Sequence, residues 1–524
     1  MENAPYIVSV AQMQAIEARA VERGLPTAEM MERAGRGVAT YLLGKYPALQ
    51  PRHCLGLIGR GNNGGDALIA LTALASAGWQ TTALLPSPRD ETDPLLPRLV
   101  SAGGRLVVLP EGDDWAAILP GLLHEADLIL DGLLGTGTRL PLHGNVASLL
   151  HLLHDQPRLP PVIALDCPSG VDCDSGEASP HTLQARRTLC IEAVKQGLLR
   201  FPAARFTGKL TVLPLNLPAG SLTGIDLQTR LIHRQTARSL LPERPPDAHK
   251  GSFGSALILA GSRHYTGAAI LATSAALRSG AGLVHTAIPE EIYAPLAASV
   301  PEAIWEILPS RAGAIASEAG PRLGELLKNQ QALLIGPGLG RAEGTLKVFG
   351  DLLQKILPTM DEKPRLVIDA DGLRMLAALP GWVDLLPKGS VLTPHPGEMS
   401  ALTGLSIAEL QADRVESARR FSREWGQVVV LKGAFSVIAE PQGQVNLIPV
   451  ASSALAHGGT GDVLAGMIAG WLAQGLGAFE AATLAAWVHA HCGLRAEKRI
   501  GHAASVLAGD LIGQIGRVLK SLIK

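Results

Sequence analysis

Five runs of residues in the C-terminal half of this chain put glycines, carboxylates and a lysine where phosphate chemistry is done. Gly458-Gly459-Thr460-Gly461-Asp462 stands directly before the apolar run Val463 to Leu472. A glycine turn that opens a helix offers unpaired N–H groups and the positive end of the helix dipole, with no side chain to obstruct an arriving phosphate. Asp462 at its mouth can take a proton from a hydroxyl while the amides stabilise a transferring phosphoryl. Alone, the run also admits a plain turn with Asp462 capping its helix. Lys432-Gly433-Ala434-Phe435-Ser436 follows the apolar Val428 to Leu431, so a lysine and free amides end a strand, where open α/β sheets bind ligands. Thr393-Pro394-His395-Pro396-Gly397-Glu398, Gly336-Pro337-Gly338-Leu339-Gly340 and Asp369-Ala370-Asp371 end three further candidate strands. His395 either contacts a ligand or decorates a loop. Five such runs, four of them at strand ends, together imply one cleft.

The N-terminal half carries a second constellation. Gly59-Arg60-Gly61-Asn62-Asn63-Gly64-Gly65-Asp66 follows the candidate strand Cys54 to Ile58 and precedes a helix from about Ala67. It is not the GxGxxG dinucleotide fingerprint, yet an amide-rich loop at a helix N-terminus suits a pyrophosphate or ribose phosphate. Asp131-Gly132-Leu133-Leu134-Gly135-Thr136-Gly137 and Asp166-Cys167-Pro168-Ser169-Gly170-Val171-Asp172 end the following strands. Asn63, Asp131 and Ser169 offer hard oxygen ligands that fit an alkali or alkaline-earth ion and not zinc; as bare residues, the aspartates are equally turn formers.

Elements that position these loops alternate along the chain. Ser9 followed by Gln12 predicts a capping box and a helix to about Arg23, and Thr27 is expected to cap a second helix with Met31, Ala34, Val38 and Leu42 on one face. Apolar strands at Cys54 to Ile58, Thr81 to Leu85, Leu106 to Leu109, Leu128 to Leu130, Val162 to Leu165 and Leu210 to Leu213 then alternate with helices, which predicts a mainly parallel sheet. The rhythm breaks around Leu217 to His249, where Leu241 to Asp247 is proline-rich. It resumes with Ala256 to Ala260, Leu283 to Ile288, Leu333 to Ile335, Leu366 to Ile368, Ser390 to Leu392 and Val428 to Leu431. No internal repeat relates the halves, so two different α/β folds are expected, over residues 1–224 and 225–524.

Composition sets the setting. Charged residues are 18% and hydrophobic residues 47% of 524, the balance of a compact folded chain. With 46 basic against 47 acidic residues there is no field to gather nucleic acid or an anionic membrane, so any anion is bound locally. Five dispersed cysteines form no disulfide framework or zinc pattern, which implies a reducing cytoplasm. The first residues lack a signal-peptide pattern, and Val463 to Leu472 is too short to span a bilayer.

The C-terminal motifs, with Lys250-Gly251-Ser252-Phe253-Gly254 and Tyr265-Thr266-Gly267-Ala268-Ala269 in the same order, resemble the ADP-dependent NAD(P)H-hydrate dehydratases of the ribokinase-like superfamily. That resemblance implies a ribokinase-like α/β domain. It further implies Ala268, Gly338, His395 and Asp462 against the hydrated nicotinamide nucleotide, Lys432, Gly433, Ala434, Phe435, Ser436 and Gly461 against ADP with Mg2+, and Asp462 as catalytic base. The N-terminal motifs resemble the NAD(P)H-hydrate epimerase domain, which implies a Rossmann-like three-layer fold with a parallel sheet. Potassium is implied on Asn63, Asp131 and Ser169. Substrate is implied on Asn62, Asn63, Gly64, Gly65, Asp66, Gly135, Thr136, Gly137, Thr138, Arg139, Leu140, Pro141 and Asp166. Lys195 matches a family lysine, and Asp166 with Lys195 is the expected acid and base pair. Ala67, Arg60 and Cys190-Ile191-Glu192 depart from the family pattern; Ala67 is expected at negative φ.

The expected partners are small molecules, hydrated NADH or NADPH and ADP, with no nucleic acid or membrane, in a homo-oligomer. A small-molecule kinase fits the glycine-Asp turns equally but has no need of the N-terminal half. A sensor or partner-binding N-terminal module is the other alternative.

Overall fold

The computed structural model describes residues 4–46, 52–110 and 115–523. Met1, Glu2 and Asn3, on which part of the leader expectation rests, lie outside them. The chain separates into two compact units, Pro5–Leu227 and Gln228–Lys524, with Ala4 in the second. That division falls a few residues beyond the expected junction at 224/225. Among the described residues no helix is long and apolar enough to cross a membrane.

In the first unit seven parallel strands run in the order Arg105–Val108, Gln80–Leu85, His53–Ile58, Leu128–Gly132, Val162–Leu165, Ala185–Ile191, Lys209–Leu213. The direction of winding reverses between His53–Ile58 and Leu128–Gly132, so the loops that follow these strands flank a crevice at their carboxyl ends. Period-two alternation covers both faces. Cys54 and Ile58 pack on helices Thr27–Lys45 and Asn62–Ser76, while Leu55 and Leu57 pack on Trp115–Glu125 and Gly144–His154. Three layers result.

Ser9 and Gln12 form the expected capping box, at 3.1 and 2.8 Å, opening helix Val10–Glu22. Just before it, Ile7–Val8 pairs in parallel with Val194–Lys195, which ties this helix to the lysine. Thr27 is not the cap of the next helix: Pro26 holds that position, with no side-chain hydrogen bond, and Met30 rather than Met31 joins Ala34, Val38 and Leu42 in the buried face. Proline at the cap supplies extended backbone and gives up no donor the helix needs.

The second unit holds a ten-stranded sheet in the order Thr229–Leu231, Val445–Leu447, Val437–Ala439, Val428–Leu431, Val391–Leu392, Arg365–Ile368, Ala332–Ile335, Ser255–Leu259, Leu283–Pro289, Ile304–Leu308. Only Val437–Ala439 runs antiparallel to its neighbours. Winding reverses between Ala332–Ile335 and Ser255–Leu259. Helix Thr460–Ala473 is buried along its length from Val463 onward. It lies against helix Thr266–Arg278 so closely that a Cβ on Gly466 would stand 2.2 Å from the Ala272 carbonyl oxygen, and one on Gly470 2.7 Å from that of Ala276.

Candidate functional sites

In the second unit the strand-end clusters converge. Gly459 caps helix Thr460–Ala473 at φ 89°, and a Cβ there would meet Leu271 at 2.6 Å, so both its backbone and its surroundings demand glycine. Gly461 faces the loop after Val428–Leu431: its Cβ would lie 3.4 Å from Lys432 Nζ and 3.8 Å from Asp369 Oδ2. Lys432 Nζ donates to Asp369 Oδ1 at 2.6 Å and stands 3.6 Å from Glu398 Oε2. Burial would lower its pKa, but Asp369 and Glu398 outweigh that and hold the ammonium above the ordinary lysine value. Asp369 is buried and also accepts from Thr393 Oγ1 at 2.7 Å.

Asp462 sits in the first turn of the helix and makes no N-cap hydrogen bond, so the capping role is not the one it plays. Burial, then the nearby Asp369, pushes its carboxyl up to about 7, with Lys432 pulling the other way. A carboxylate poised there changes hands with a proton readily at neutral pH. Behind the turn, His489 Nε2 is 2.9 Å from the Thr460 carbonyl oxygen; burial lowers its pKa to about 4, so the ring is neutral and donates. Ala370, at φ 49°, is a strained non-glycine residue between Asp369 and Asp371; such strain costs about 1–3 kcal/mol and gathers at functional sites.

His395 has two uses. Its Nδ1 accepts from Gly397 N and Glu398 N at 3.0 and 3.2 Å, capping helix Pro396–Thr403, which leaves Nε2 as the protonated nitrogen, 3.3 Å from Glu398 Oε1 in a half-exposed side chain. Burial, Lys432 and Arg374 lower its pKa, so it is a neutral donor. Ala268 and Gly338 lie together: a Cβ on Gly338 would fall 2.7 Å from that of Ala268. Gly340 N donates to Asp371 Oδ2 at 2.9 Å. In the Lys432 to Ser436 loop the expected free amides are fewer than the glycine suggested. Lys432 N donates to Pro394 O and Phe435 N to Val450 O, each at 2.9 Å, while Gly433 at φ 145° and Phe435 at φ 53° form the bend. Arg414 Nη2 holds the loop from behind through Leu431 O and Lys432 O, at 3.0 and 3.2 Å.

A cavity of about 610 Å3 opens in the first unit at the crevice between its reversed strands. Asn62, Asn63, Asp66, Gly135, Thr136, Gly137, Thr138, Asp166 and Lys195 line it, and so does Glu17, which sequence reasoning missed. Gly64 and Gly65 lie behind the wall: a Cβ would meet Gly59 O at 2.0 Å and Met31 Sδ at 2.6 Å respectively. Their job is close packing. Arg139, Leu140 and Pro141 stand outside the wall, because Thr138 turns the chain back by bonding Gly135 O through both N and Oγ1. Ala67 is buried within helix Asn62–Ser76 and is not among the positive-φ residues, as expected. Arg60 points out of the turn to Pro88 O.

Lys195 is buried, and its ammonium donates to Asp166 Oδ1, to Ile191 O at 3.0 Å and to Ala193 O at 3.2 Å. Burial opposes the charge, but Asp166 outweighs it and raises the lysine's pKa. Asp166 Oδ1 also accepts Ile191 N at 2.9 Å. Asp131 is buried; Ser169 donates to it through Oγ at 2.5 Å and N at 2.9 Å. Asn63 Nδ2 and Ser169 Oγ both meet Leu134, so the three candidate ion ligands do converge.

Residues 256–517 match the NAD(P)H-hydrate dehydratase family and residues 27–197 the family described as YjeF-related protein N-terminus. The chain is 36% identical over 524 residues to the bifunctional NAD(P)H-hydrate repair enzyme of Moorella thermoacetica, covering 99% of this chain and 97% of that one. It is 33% identical over 496 residues to the enzyme of the same description from Escherichia coli, covering 95% and 90%. Among solved structures it is similar to the ADP/ATP-dependent NAD(P)H-hydrate dehydratase from Bacillus subtilis co-crystallised with ATP/Mg2+, at 34% identity and TM-score 0.47, covering 55% of this chain and 97% of that one.

Proposed function

The chain belongs to the bifunctional NAD(P)H-hydrate repair enzymes, and from that premise we propose how its two sites divide the work. The second unit dehydrates the S form of hydrated NADH or NADPH with ADP, releasing AMP and phosphate; the first interconverts the R and S forms, which spontaneous hydration produces together.

Hydroxide is a poor leaving group. Asp462 takes the proton from the ring hydroxyl, whose oxygen then attacks the β-phosphorus of ADP while AMP departs. The amides at the Gly459 to Gly461 turn and Lys432 stabilise the charge in flight. Electrons from the ring nitrogen then expel phosphate and, with loss of the neighbouring ring proton, restore the dihydropyridine. Ala268, Gly338 and His395 hold the hydrated nucleotide, with His395 Nε2–H as donor. Lys432, Gly433, Ala434, Phe435, Ser436 and Gly461 hold the adenine nucleotide, and Mg2+, when bound, offsets its phosphate charge. The observation that carries this reading is the juxtaposition of Gly461, Lys432 and Asp369 beside a carboxyl that titrates near neutrality.

In the first unit Asn62, Asp66 and the Gly135 to Thr138 wall receive the hydrate. Asp166 supplies a base that Lys195 holds in place. A potassium ion fits Asn63, Asp131 and Ser169, because Asp131 is a buried carboxylate bonded only to neutral donors among the described residues. The cytoplasm and a homo-oligomer complete the proposal; all five cysteines are buried and free.

Mixing the chain with hydrated NADH and ADP tests the dehydratase half. AMP, free phosphate and recovered dihydronicotinamide absorbance are expected. A stable phosphorylated product in place of free phosphate would make it a kinase.

A further inference from the structure

The epimerase cavity contains a carboxyl whose role neither ion binding nor the Asp166–Lys195 pair explains. Lys195 has three N–H bonds and spends them on Asp166 Oδ1, Ile191 O and Ala193 O. An ammonium so committed has no proton directed at a ligand, and its strand register with Ile7–Val8 keeps it buried. It is a positioning residue that holds Asp166 in place beside the cavity. Asp166 Oδ1 takes two of the bonds around it, which leaves Oδ2 for the cavity. Asp66 differs from both. It lines the same cavity, and among the described residues its carboxyl has no hydrogen-bond partner. Helix Asn62–Ser76 fixes it there, because helix Thr27–Lys45 packs so tightly that a Cβ on Gly35 would stand 2.6 Å from the Asp66 carbonyl oxygen.

We propose that Asp66 is the general acid of the epimerisation and that Glu17, on the exposed rim of the cavity, returns its proton from solvent. This rests on the epimerase reading of the first unit and deepens it. Asp66 gives its proton to the ring hydroxyl as the ring nitrogen's lone pair forms a double bond to that carbon; the carbon–oxygen bond breaks and water leaves. Water adds to the opposite face, the π electrons return to nitrogen, and Asp166 Oδ2 takes the proton released. Asp166 then gives it up to solvent while Glu17 reloads Asp66, so the protons balance over a turnover.

The electrostatics agree with the geometry. Burial, then Asp166 and Glu17, hold Asp66 well above the usual carboxylate range, with Lys195 acting against them. Those three groups come from the loop after Val162–Leu165, from helix Val10–Glu22 and from Val194–Lys195, and Arg60 and His143 line the same cavity.

The test uses the full chain with one purified epimer and follows appearance of the other by chromatography. Asp66→Asn is expected to slow interconversion by about 10²–10⁴-fold, the range for losing a general acid. It should also abolish the fall in rate that the wild type shows as pH rises. Dehydration of the S epimer by the same preparation should be unchanged, and the unfolding transition of the first unit should stay where it is in the wild type, which together report that both units are folded. Glu17→Gln should lose less, and a small buffer acid such as imidazole should restore most of the loss. In H218O the new epimer should carry the label. An Asp66→Asn chain that interconverts epimers at the wild-type rate, or an unlabelled product, overturns the inference while leaving the epimerase reading intact. A wild-type chain that does not interconvert them overturns that reading, and the inference with it.

Discussion

Replacing Asp462 by Asn should cripple the dehydratase and, above neutral pH, stabilise the unit that contains it. The carboxyl is raised from an ordinary 3.8 to about 7 by burial first and Asp369 second. Three units at 1.36 kcal/mol each amount to about 4 kcal/mol. Because the folded value lies above the unfolded one, the protonated carboxyl's contribution is complete below about pH 4 and is lost as pH rises towards 7. Asparagine has no such loss. The stability of Asp462→Asn relative to wild type should therefore grow between about pH 4 and pH 7 and stay level above, reaching at most about 4 kcal/mol. Phosphate release from ADP and hydrated NADH should fall about 10²–10⁴-fold, or about 2.7–5.4 kcal/mol of barrier. In the wild type, kcat/KM should climb as pH rises through about 7, because the base must first lose its proton. Denaturant unfolding at pH 5 and pH 8, beside the phosphate assay, checks both halves. A variant that still releases phosphate, or whose stability advantage does not widen with pH, refutes the assignment.

Three further outcomes follow from the same geometry. Lys432→Met leaves Asp369 and Glu398 buried without their cation, which should cost about 3–5 kcal/mol of stability and show as a lowered thermal transition together with lost nucleotide use. Gly461→Ala adds a methyl in ordinary contact with Asp369 and at the near limit with Lys432, so the fold should survive while KM for ADP rises; Gly459→Ala, at φ 89° against Leu271, should instead destabilise by about 1–2 kcal/mol or more, as melting curves of the pair would show. Exchange of potassium for tetramethylammonium should lower both the epimerisation rate and the unfolding temperature of the first unit, and Asp131→Asn should make both indifferent to the exchange.

Much of this was legible because glycine announces close approach. Gly59 follows an apolar run and Gly461 precedes one, at points where a side chain has no room or would block a ligand, and the sequence shows both facts as composition. Carboxylates were harder. Asp369 and Glu398 stand in motifs that were noticed, but nothing in one dimension says that Lys432 binds both. Glu17 is harder still: it is one polar position on an amphipathic helix, and only the pairing of Ile7–Val8 with Val194–Lys195 brings it to the cavity. Missed strands have a similar cause. Ala185–Ile191 carries two arginines directly after its first residue, Ile304–Leu308 is a sheet edge with Ile304 and Ile307 exposed, and Thr229–Leu231, Val437–Ala439 and Val445–Leu447 are three residues each. Strands so short take their identity from their neighbours and not from their own pattern.

The close seating of Gly466 and Gly470 on the carbonyls of Ala272 and Ala276 bears on how the dehydratase handles substrate. One of these two helices carries Asp462, the proposed base, in its first turn, and the other carries Ala268, proposed to meet the substrate, in its own first turn. Their main chains touch, so no side-chain rotamer intervenes to let one slide on the other, and the spacing between Asp462 and Ala268, the proposed base and substrate floor, is a property of the backbone. Whatever movement admits and releases the nucleotides must then be carried by the loops, with the two helices acting as a fixed anvil. A larger residue at Gly466 would be felt as misalignment of the proton transfer before it was felt as loss of binding.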